Sequence, residues 1–302
     1  MINLGNCLTI RRSSADFVNI LMLEKRASNG QPIHHTTQVI RMENHGCFMF
    51  NKGFASKYRK VTLGMFLLTS AFYNYLSKTS LSYNVCNEFR IDEEQIQFPD
   101  VAIESIPTKM LFKITFGSLL TFLFVVESTS NGLSLNGLMT SICSLWQYFK
   151  YILAGMYWAG ISLWIVKLRV GRLRPCFIDG CQIKELDTED ISSLLNVHMC
   201  GNAGYHYYCQ SFFSGHAMLA FYSFMSLAGY VYHKELKWSK LFYSIFISVP
   251  SWIAYTRILD NQHHPSDVAV GAGVGSAFAL FTFLLVKCEH NLNRHEIKQN
   301  ID

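Results

Sequence analysis

The sequence predicts an all-α integral membrane protein with six transmembrane helices, arranged as a helical bundle with its functional site at the outer end. Half of the 302 residues are hydrophobic and only 16% are charged, whereas soluble proteins carry about a quarter charged residues. The apolar residues also gather into six long blocks, and a membrane-spanning helix needs roughly 20 mostly apolar residues. Six such blocks make a large soluble protein with buried helices an unfavourable alternative.

The apolar blocks define the organisation of the chain. They cover residues 61–76, 110–126, 148–166, 215–232, 241–255 and 268–286. The first and fifth are short, and we expect both helices to extend into flanking aromatic and polar residues. We interpret residues 1–60 as a basic cytoplasmic tail, residues 61–287 as a six-span domain and residues 288–302 as a cytoplasmic tail.

The lysines and arginines predict the orientation. Three segments that fall on one side of a six-span chain are basic: the one before the first block, the one between the fourth and fifth, and the one after the sixth. Cytoplasmic segments carry an excess of Lys and Arg. These residues are Lys52, Lys57, Arg59, Lys60, Lys234, Lys237, Lys240, Lys287, Arg294 and Lys298. Both termini are therefore predicted to be cytoplasmic, and the acidic segment after the first block is predicted to lie outside.

One predicted outer segment departs from this charge rule. It follows the third block and holds Lys167, Arg169, Arg172 and Arg174. An anionic ligand on the outer side would explain these charges. Arg172 is interpreted as a surface residue, and Arg169 as one that either extends toward the membrane surface or contributes to the site.

Three short groups of polar residues lie at the ends of predicted helices. The first is Lys167 with Arg174-Pro175 at the end of the third block, and the second is Ser214-Gly215-His216 at the start of the fourth. The third is Arg257, His263 and Asp267, between the fifth and sixth blocks. The helix order places all three groups on the outer side, so we expect them to form one site.

The residue types in these groups suit a phosphate group. Arg174 and Arg257 offer planar forks that match phosphate oxygens, and Lys167 adds a point charge. Ser214 can donate a hydroxyl hydrogen bond, and Gly215 lets the backbone approach closely. The start of the fourth helix also presents free N–H groups to an anion.

Two histidines supply reactive groups beside this predicted anion site. Asp267 follows His263 by four residues, and we expect its carboxylate to face one ring nitrogen and fix the tautomer. His263 could then attack phosphorus and form a phosphohistidine. His216 could protonate the leaving oxygen and afterwards activate water.

Together these groups resemble the phosphatidic acid phosphatase type 2 superfamily, whose pattern is K-x6-R-P, P-S-G-H and S-R-x5-H-x3-D. The flanking sequences at 171–175, 211–216 and 263–268 resemble the animal lipid phosphate phosphatase branch. The resemblance covers about residues 61–286. Phe213 and Thr256 stand where the general pattern has proline and serine, and Pro265 is unusual for the animal branch.

The resemblance implies a fold, an activity and a set of roles. Lys167, Arg174, Ser214, Gly215 and Arg257 would bind phosphate, and His216, His263 and Asp267 would be catalytic. The implied substrates are phosphatidic acid, lysophosphatidic acid, ceramide phosphate and sphingosine phosphate in the bilayer. The resemblance implies no metal or other cofactor, and nothing in the sequence points to nucleic acid.

Several alternatives remain open from the sequence. The same motifs would serve a polyprenyl diphosphate phosphatase, whereas a catalytically silent lipid-binding relative is expected to lose the histidines. Zinc bound by His216, His263, His264 and Asp267 is disfavoured because three cations crowd the same face. The site would face the extracellular side of a plasma membrane or the lumen of an internal one. Homo-oligomerisation and the pairing of the outer cysteines are not determined.

Overall fold

The described part of the computed structural model comprises residues 86–90, 93–183 and 199–299. Its helices are α1 (Thr108–Asn131), α2 (Leu135–Val170), the short α3 (Phe177–Cys181), α4 (Gly215–His233), α5 (Ser239–Leu259) and α6 (Pro265–Gln299). Two 3-10 turns, Glu94–Ile96 and Tyr205–Cys209, lie between them. Within these ranges the chain forms no strand, only an isolated bridge between Ile183 and Cys200, so the predicted all-α class is confirmed there.

Three described helices are long and apolar enough to cross a membrane. They are Thr108–Asn131, Leu135–Val170 and Pro265–Cys288, the last being the apolar part of α6. The predicted fourth and fifth blocks form α4 and α5, which do not belong to this group. Helices with the length and apolar content needed to cross a membrane are thus confirmed, and six crossings stay a prediction.

Some predicted boundaries differ from the structure. α2 begins at Leu135, well before the predicted start at residue 148, and α6 continues to Gln299, beyond the predicted end at residue 286. Apolar content marks where lipid surrounds a helix, whereas backbone hydrogen bonding can continue into polar sequence on either side. The predicted first span at residues 61–76 and the tail at 1–60 lie outside the described residues.

The chain divides into two units. The described residues of the first are 120–151 and 284–299, where α1 ends and α2 begins. Here Asn131 Nδ2 donates to Ser141 Oγ at 3.2 Å, and Ser134 Oγ accepts from the Gly137 N–H at 3.2 Å. The second unit includes the described residues from 86 to 119 and from 152 to 283, and it contains every candidate site residue.

Close packing of α4 against α6 organises the second unit. A Cβ atom at Gly271 would lie 2.4 Å from the Ser214 carbonyl oxygen, and one at Gly275 would lie 2.2 Å from that of Met218. These two glycines therefore let the helix backbones approach, as small residues do in membrane helices. Gly273, between them, is different, because a Cβ atom there would meet no neighbouring atom of the described structure within 4 Å.

The segments outside the long helices form a small domain crosslinked by disulfides. Cys86 is bonded to Cys209 and Cys181 to Cys200. The cysteines pack with Phe89 and Phe177, whose rings meet edge to face at 4.8 Å. The segments that carry the first and second polar groups are therefore fixed to each other by covalent bonds and a buried core.

The glycine contacts allow a matched test of the helix packing. We expect Gly275→Ala to destabilise the protein by about 1–3 kcal/mol, because the new methyl group meets backbone that cannot rotate away. Gly273→Ala adds the same methyl group where space is open and should leave stability near that of the wild type. Thermal unfolding of both variants in detergent checks this. Equal melting temperatures for the two variants would show that α4 and α6 are not in close contact at Gly275.

Candidate active site

The predicted polar groups occupy the ends of four helices. Lys167 lies in the last turn of α2 and Arg257 in the last turn of α5. Ser214 is the N-cap of α4, where its hydroxyl accepts from the Ala217 N–H at 3.4 Å. Asp267 lies in the first turn of α6, where a negative charge favours the helix dipole.

Local sequence explains why the chain turns at these points. Gly171, directly after α2, has a φ of 61°, which glycine adopts at little cost and which commonly ends a helix. α6 begins at Pro265, a residue whose missing N–H costs nothing in the first turn. The start of α4 is joined to that of α6, because the Ser214 N–H donates to the Asp267 carbonyl at 3.0 Å.

The structure brings both histidines close to predicted phosphate-binding cations. Arg174 and Lys167 interact electrostatically with His263. Arg257, Arg174 and Lys167 all interact with His216. The three groups predicted from the sequence therefore lie together at one place.

Arg174 is held rigidly within this cluster. It is buried, its Nε donates to the Tyr207 carbonyl at 3.0 Å, and its guanidinium lies 3.8 Å from the Tyr207 ring centroid. Its Nη1 also donates to both the backbone and side-chain oxygens of Gln262. A guanidinium fixed in this way loses little conformational entropy when it binds an anion.

His263 has a defined tautomer, although not for the predicted reason. The ring is buried, and Nδ1 lies 2.7 Å from the carbonyl oxygen of Ser211. A carbonyl oxygen only accepts, so Nδ1 must carry the proton, and in the neutral ring the lone pair is on Nε2. The contact predicted between the Asp267 carboxylate and this ring is replaced by the Ser211 carbonyl.

Asp267 influences the His263 ring indirectly, through Ser211. Its Oδ2 accepts from the Ser211 hydroxyl at 2.5 Å and from the His264 N–H at 3.1 Å, and its Oδ1 lies 2.5 Å from Arg172 Nη1. Asp267 thus anchors Ser211, whose carbonyl in turn orients His263. Arg172, interpreted from the sequence as a surface residue, is one-third exposed but pairs with this fully buried carboxylate.

His216 presents an unsatisfied nitrogen. Its ring forms a hydrogen bond with the backbone of Ile106, whereas Nε2 is buried and has no hydrogen-bond partner within the described residues. An unsatisfied buried polar atom costs about 1–3 kcal/mol. A protonated ring would donate from Nε2 to a substrate oxygen, as the general acid role predicted for this residue requires.

The environment of His263 favours the neutral ring. Burial lowers the pKa of His263 well below its ordinary value near 6.5, and the charges of Arg174 and Lys167 lower it further. The unprotonated, nucleophilic form therefore persists below pH 6.5.

Cys176 is a second potential nucleophile near the site, with its sulfur 3.9 Å from Gln262 Nε2. Burial, followed by the charge of Asp100, raises the pKa of this thiol to about 12. The thiolate is the reactive form of cysteine. Cys176 therefore stays protonated at neutral pH, and His263 is the better nucleophile.

A family comparison agrees with this geometry. The model of the PAP2 superfamily matches residues 144–290, a segment that contains every candidate site residue. Just under half of the chain is therefore similar to this superfamily. Together with the three apolar helices, this similarity supports a membrane protein.

Curated relatives carry related names. The chain is 32% identical over 131 residues to phospholipid phosphatase 2 of Rattus norvegicus, covering 40% of this chain and 46% of that protein. It is 28% identical over 232 residues to a probable diacylglycerol pyrophosphate phosphatase 1 of Schizosaccharomyces pombe, covering 70% and 78%. A putative phosphatidate phosphatase of Drosophila melanogaster is 32% identical over 136 residues, covering 38% and 35%. The match therefore spans less than half of the animal relatives, and no solved structure matches the chain.

Arg172 offers a test of the indirect orientation of His263. We expect Arg172→Ala to lower kcat about 10- to 100-fold with little change in KM, because a small displacement of a reacting group costs this much. Arg169→Ala is the matched control, since Arg169 lies on the same segment and is exposed. The measurement is kcat and KM of both variants, by steady-state kinetics on a lipid phosphate. Equal effects of the two substitutions would contradict a positioning role for Arg172.

The acid limb of the pH profile tests the protonation state of the His263 ring. A lowered pKa keeps the ring neutral as the pH falls, so we expect kcat/KM to decline only well below pH 6.5. The measurement is kcat/KM between pH 4 and pH 8 in detergent micelles of fixed composition. An acid limb at or above pH 6.5 would show that the ring is not desolvated as the structure indicates.

Proposed function

We propose that the protein is a metal-independent lipid phosphate phosphatase that acts through a phosphohistidine at His263. The observation that carries this proposal is the contact of His263 Nδ1 with the Ser211 carbonyl, which leaves the Nε2 lone pair for attack beside Arg174 and Lys167. The match of residues 144–290 to the PAP2 superfamily and the phosphatase names of the relatives support it.

The first step transfers phosphate to the enzyme. His263 Nε2 bonds to phosphorus while the bond between phosphorus and the lipid oxygen breaks, and His216 gives a proton to that oxygen. Lys167, Arg174, Arg257, the Ser214 hydroxyl and the Gly215 N–H bind the phosphoryl oxygens. Their positive charges and N–H groups stabilise the charge that spreads over these oxygens in the transition state.

The second step restores the enzyme. His216 takes a proton from water, the water oxygen bonds to phosphorus, and the bond between phosphorus and Nε2 breaks to release inorganic phosphate. The net reaction consumes one water and yields a lipid alcohol. Asp267 contributes by holding Ser211, and through it the His263 ring, in one orientation.

The substrates we propose are phosphatidic acid, lysophosphatidic acid, ceramide phosphate and sphingosine phosphate. A lipid diphosphate is the second candidate, because a relative that aligns with 70% of this chain is named for diacylglycerol pyrophosphate. Either substrate would reach the site from the membrane that the apolar helices cross.

The disulfides support a site on the outer side. They join segments that the charge rule places outside or in a lumen, and such compartments permit disulfides. We propose a plasma membrane with an extracellular site or an internal membrane with a lumenal one.

Phosphate release from phosphatidic acid micelles in excess EDTA tests the activity. We expect wild-type activity in EDTA and a loss of at least about 10³-fold in His263→Ala, because the nucleophile is gone. His264→Gln serves as the control, since His264 is adjacent in sequence and its Nε2 lies 3.0 Å from the Leu173 carbonyl oxygen. Loss of activity in EDTA would favour zinc instead, and an inactive wild type on every lipid phosphate would favour a silent relative.

A further inference from the structure

The Glu104 carboxylate contacts Arg257, one of the proposed phosphate-binding arginines. Its Oε2 lies 3.1 Å from Arg257 Nη1, and its Oε1 accepts from the Tyr207 hydroxyl at 3.2 Å. The Arg257 side chain is 1% exposed, whereas that of Glu104 is 25% exposed. Glu104 therefore lies on the solvent side of the buried arginine.

The position of Glu104 is fixed by its neighbour in sequence. Ser105 donates through its backbone N–H at 2.9 Å and its hydroxyl at 2.6 Å to the two carboxylate oxygens of Asp260. Asp260 in turn lies 2.6 Å from Arg257 Nη2. Because the Ser105 contacts hold the backbone on the pair of Arg257 and Asp260, the adjacent Glu104 is held next to Nη1.

Tyr207 connects Glu104 to the other arginine. The Tyr207 ring lies under the Arg174 guanidinium, and Arg174 Nη1 is 3.2 Å from the Tyr207 hydroxyl that also faces Glu104. One carboxylate charge is thus in direct contact with Arg257 and separated from Arg174 by a single hydroxyl group.

We infer that Glu104 determines substrate specificity, making the site favour lipid phosphate monoesters over lipid diphosphates. This inference rests on the proposed function. A monoester brings about two negative charges near neutral pH, and a diphosphate brings more, with its second phosphate extending from the buried arginine toward the exposed side. Repulsion between that second phosphate and Glu104 is strengthened by the low dielectric of a partly buried site, and such repulsive elements commonly set specificity.

A purely structural role for Glu104 makes a different prediction. If the carboxylate only held Arg257 in place, its loss would weaken the hydrolysis of both substrates by the same factor. Glu104→Gln separates the two roles, because the amide oxygen can still accept from Arg257 while the negative charge is removed. Glu94→Gln is the matched control, since Glu94 is an exposed acid in the same preceding segment.

The experiment measures kcat/KM of the full chain for phosphatidic acid and for diacylglycerol pyrophosphate in the same micelles. We expect Glu104→Gln to raise the ratio of diphosphate to monoester hydrolysis roughly tenfold and Glu94→Gln to leave it unchanged. A ratio that changes less than twofold in Glu104→Gln would overturn the inference, whether or not both rates fall.

A binding measurement keeps this inference separate from the proposed activity. The stabilisation of the full chain against thermal unfolding is titrated with orthophosphate and with pyrophosphate. We expect Glu104→Gln to strengthen pyrophosphate binding several-fold more than orthophosphate binding. If the wild type hydrolyses neither lipid, the proposed function fails, but the binding titration still tests the role of Glu104. Equal changes in orthophosphate binding and pyrophosphate binding in Glu104→Gln would refute that role.

Discussion

The close contact between the start of α4 and the start of α6 determines where the reactive groups lie. Gly271 allows the Ser214 carbonyl to approach to a distance that a side chain would prevent, and the Ser214 N–H bonds to the Asp267 carbonyl at 3.0 Å. Two helix N-termini therefore meet, and their N–H groups give this place a positive potential before any charged side chain is added. The proposed phosphate-binding cations and both histidines lie around it.

The orientation of His263, the proposed nucleophile, depends on a chain of contacts that begins at the protein surface. Arg172 pairs with Asp267, Asp267 accepts from the Ser211 hydroxyl, and the Ser211 carbonyl fixes the His263 ring. Because the acceptor on Nδ1 is a neutral carbonyl rather than a carboxylate, it fixes the tautomer without strongly raising the pKa of the ring. Burial and neighbouring cations keep His263 neutral, as the proposed role of nucleophile requires.

The sequence was informative about groups whose roles depend on local position. Helix-end placement of Lys167, Ser214, Arg257 and Asp267 follows from caps, turn residues and apolar blocks, so it could be predicted, together with the all-α class of the described residues. The partner of His263 could not, because Ser211 reaches the ring from 52 residues away. The same holds for Glu104, which is 153 residues from Arg257, and for the disulfide partners. The excess of positive charge on the predicted outer side was the available signal for Arg172.

The proposed mechanism requires His263 Nε2 to form a bond to phosphorus. The most direct test is rapid quenching of the full chain with labelled phosphatidic acid in EDTA, followed by mapping of the phosphorylated peptide. We expect an acid-labile, base-stable phosphate on the peptide that contains His263, formed and lost at rates compatible with turnover, and absent from His263→Ala. Turnover without such an intermediate, or a phosphate on another residue, would contradict a phosphohistidine at His263.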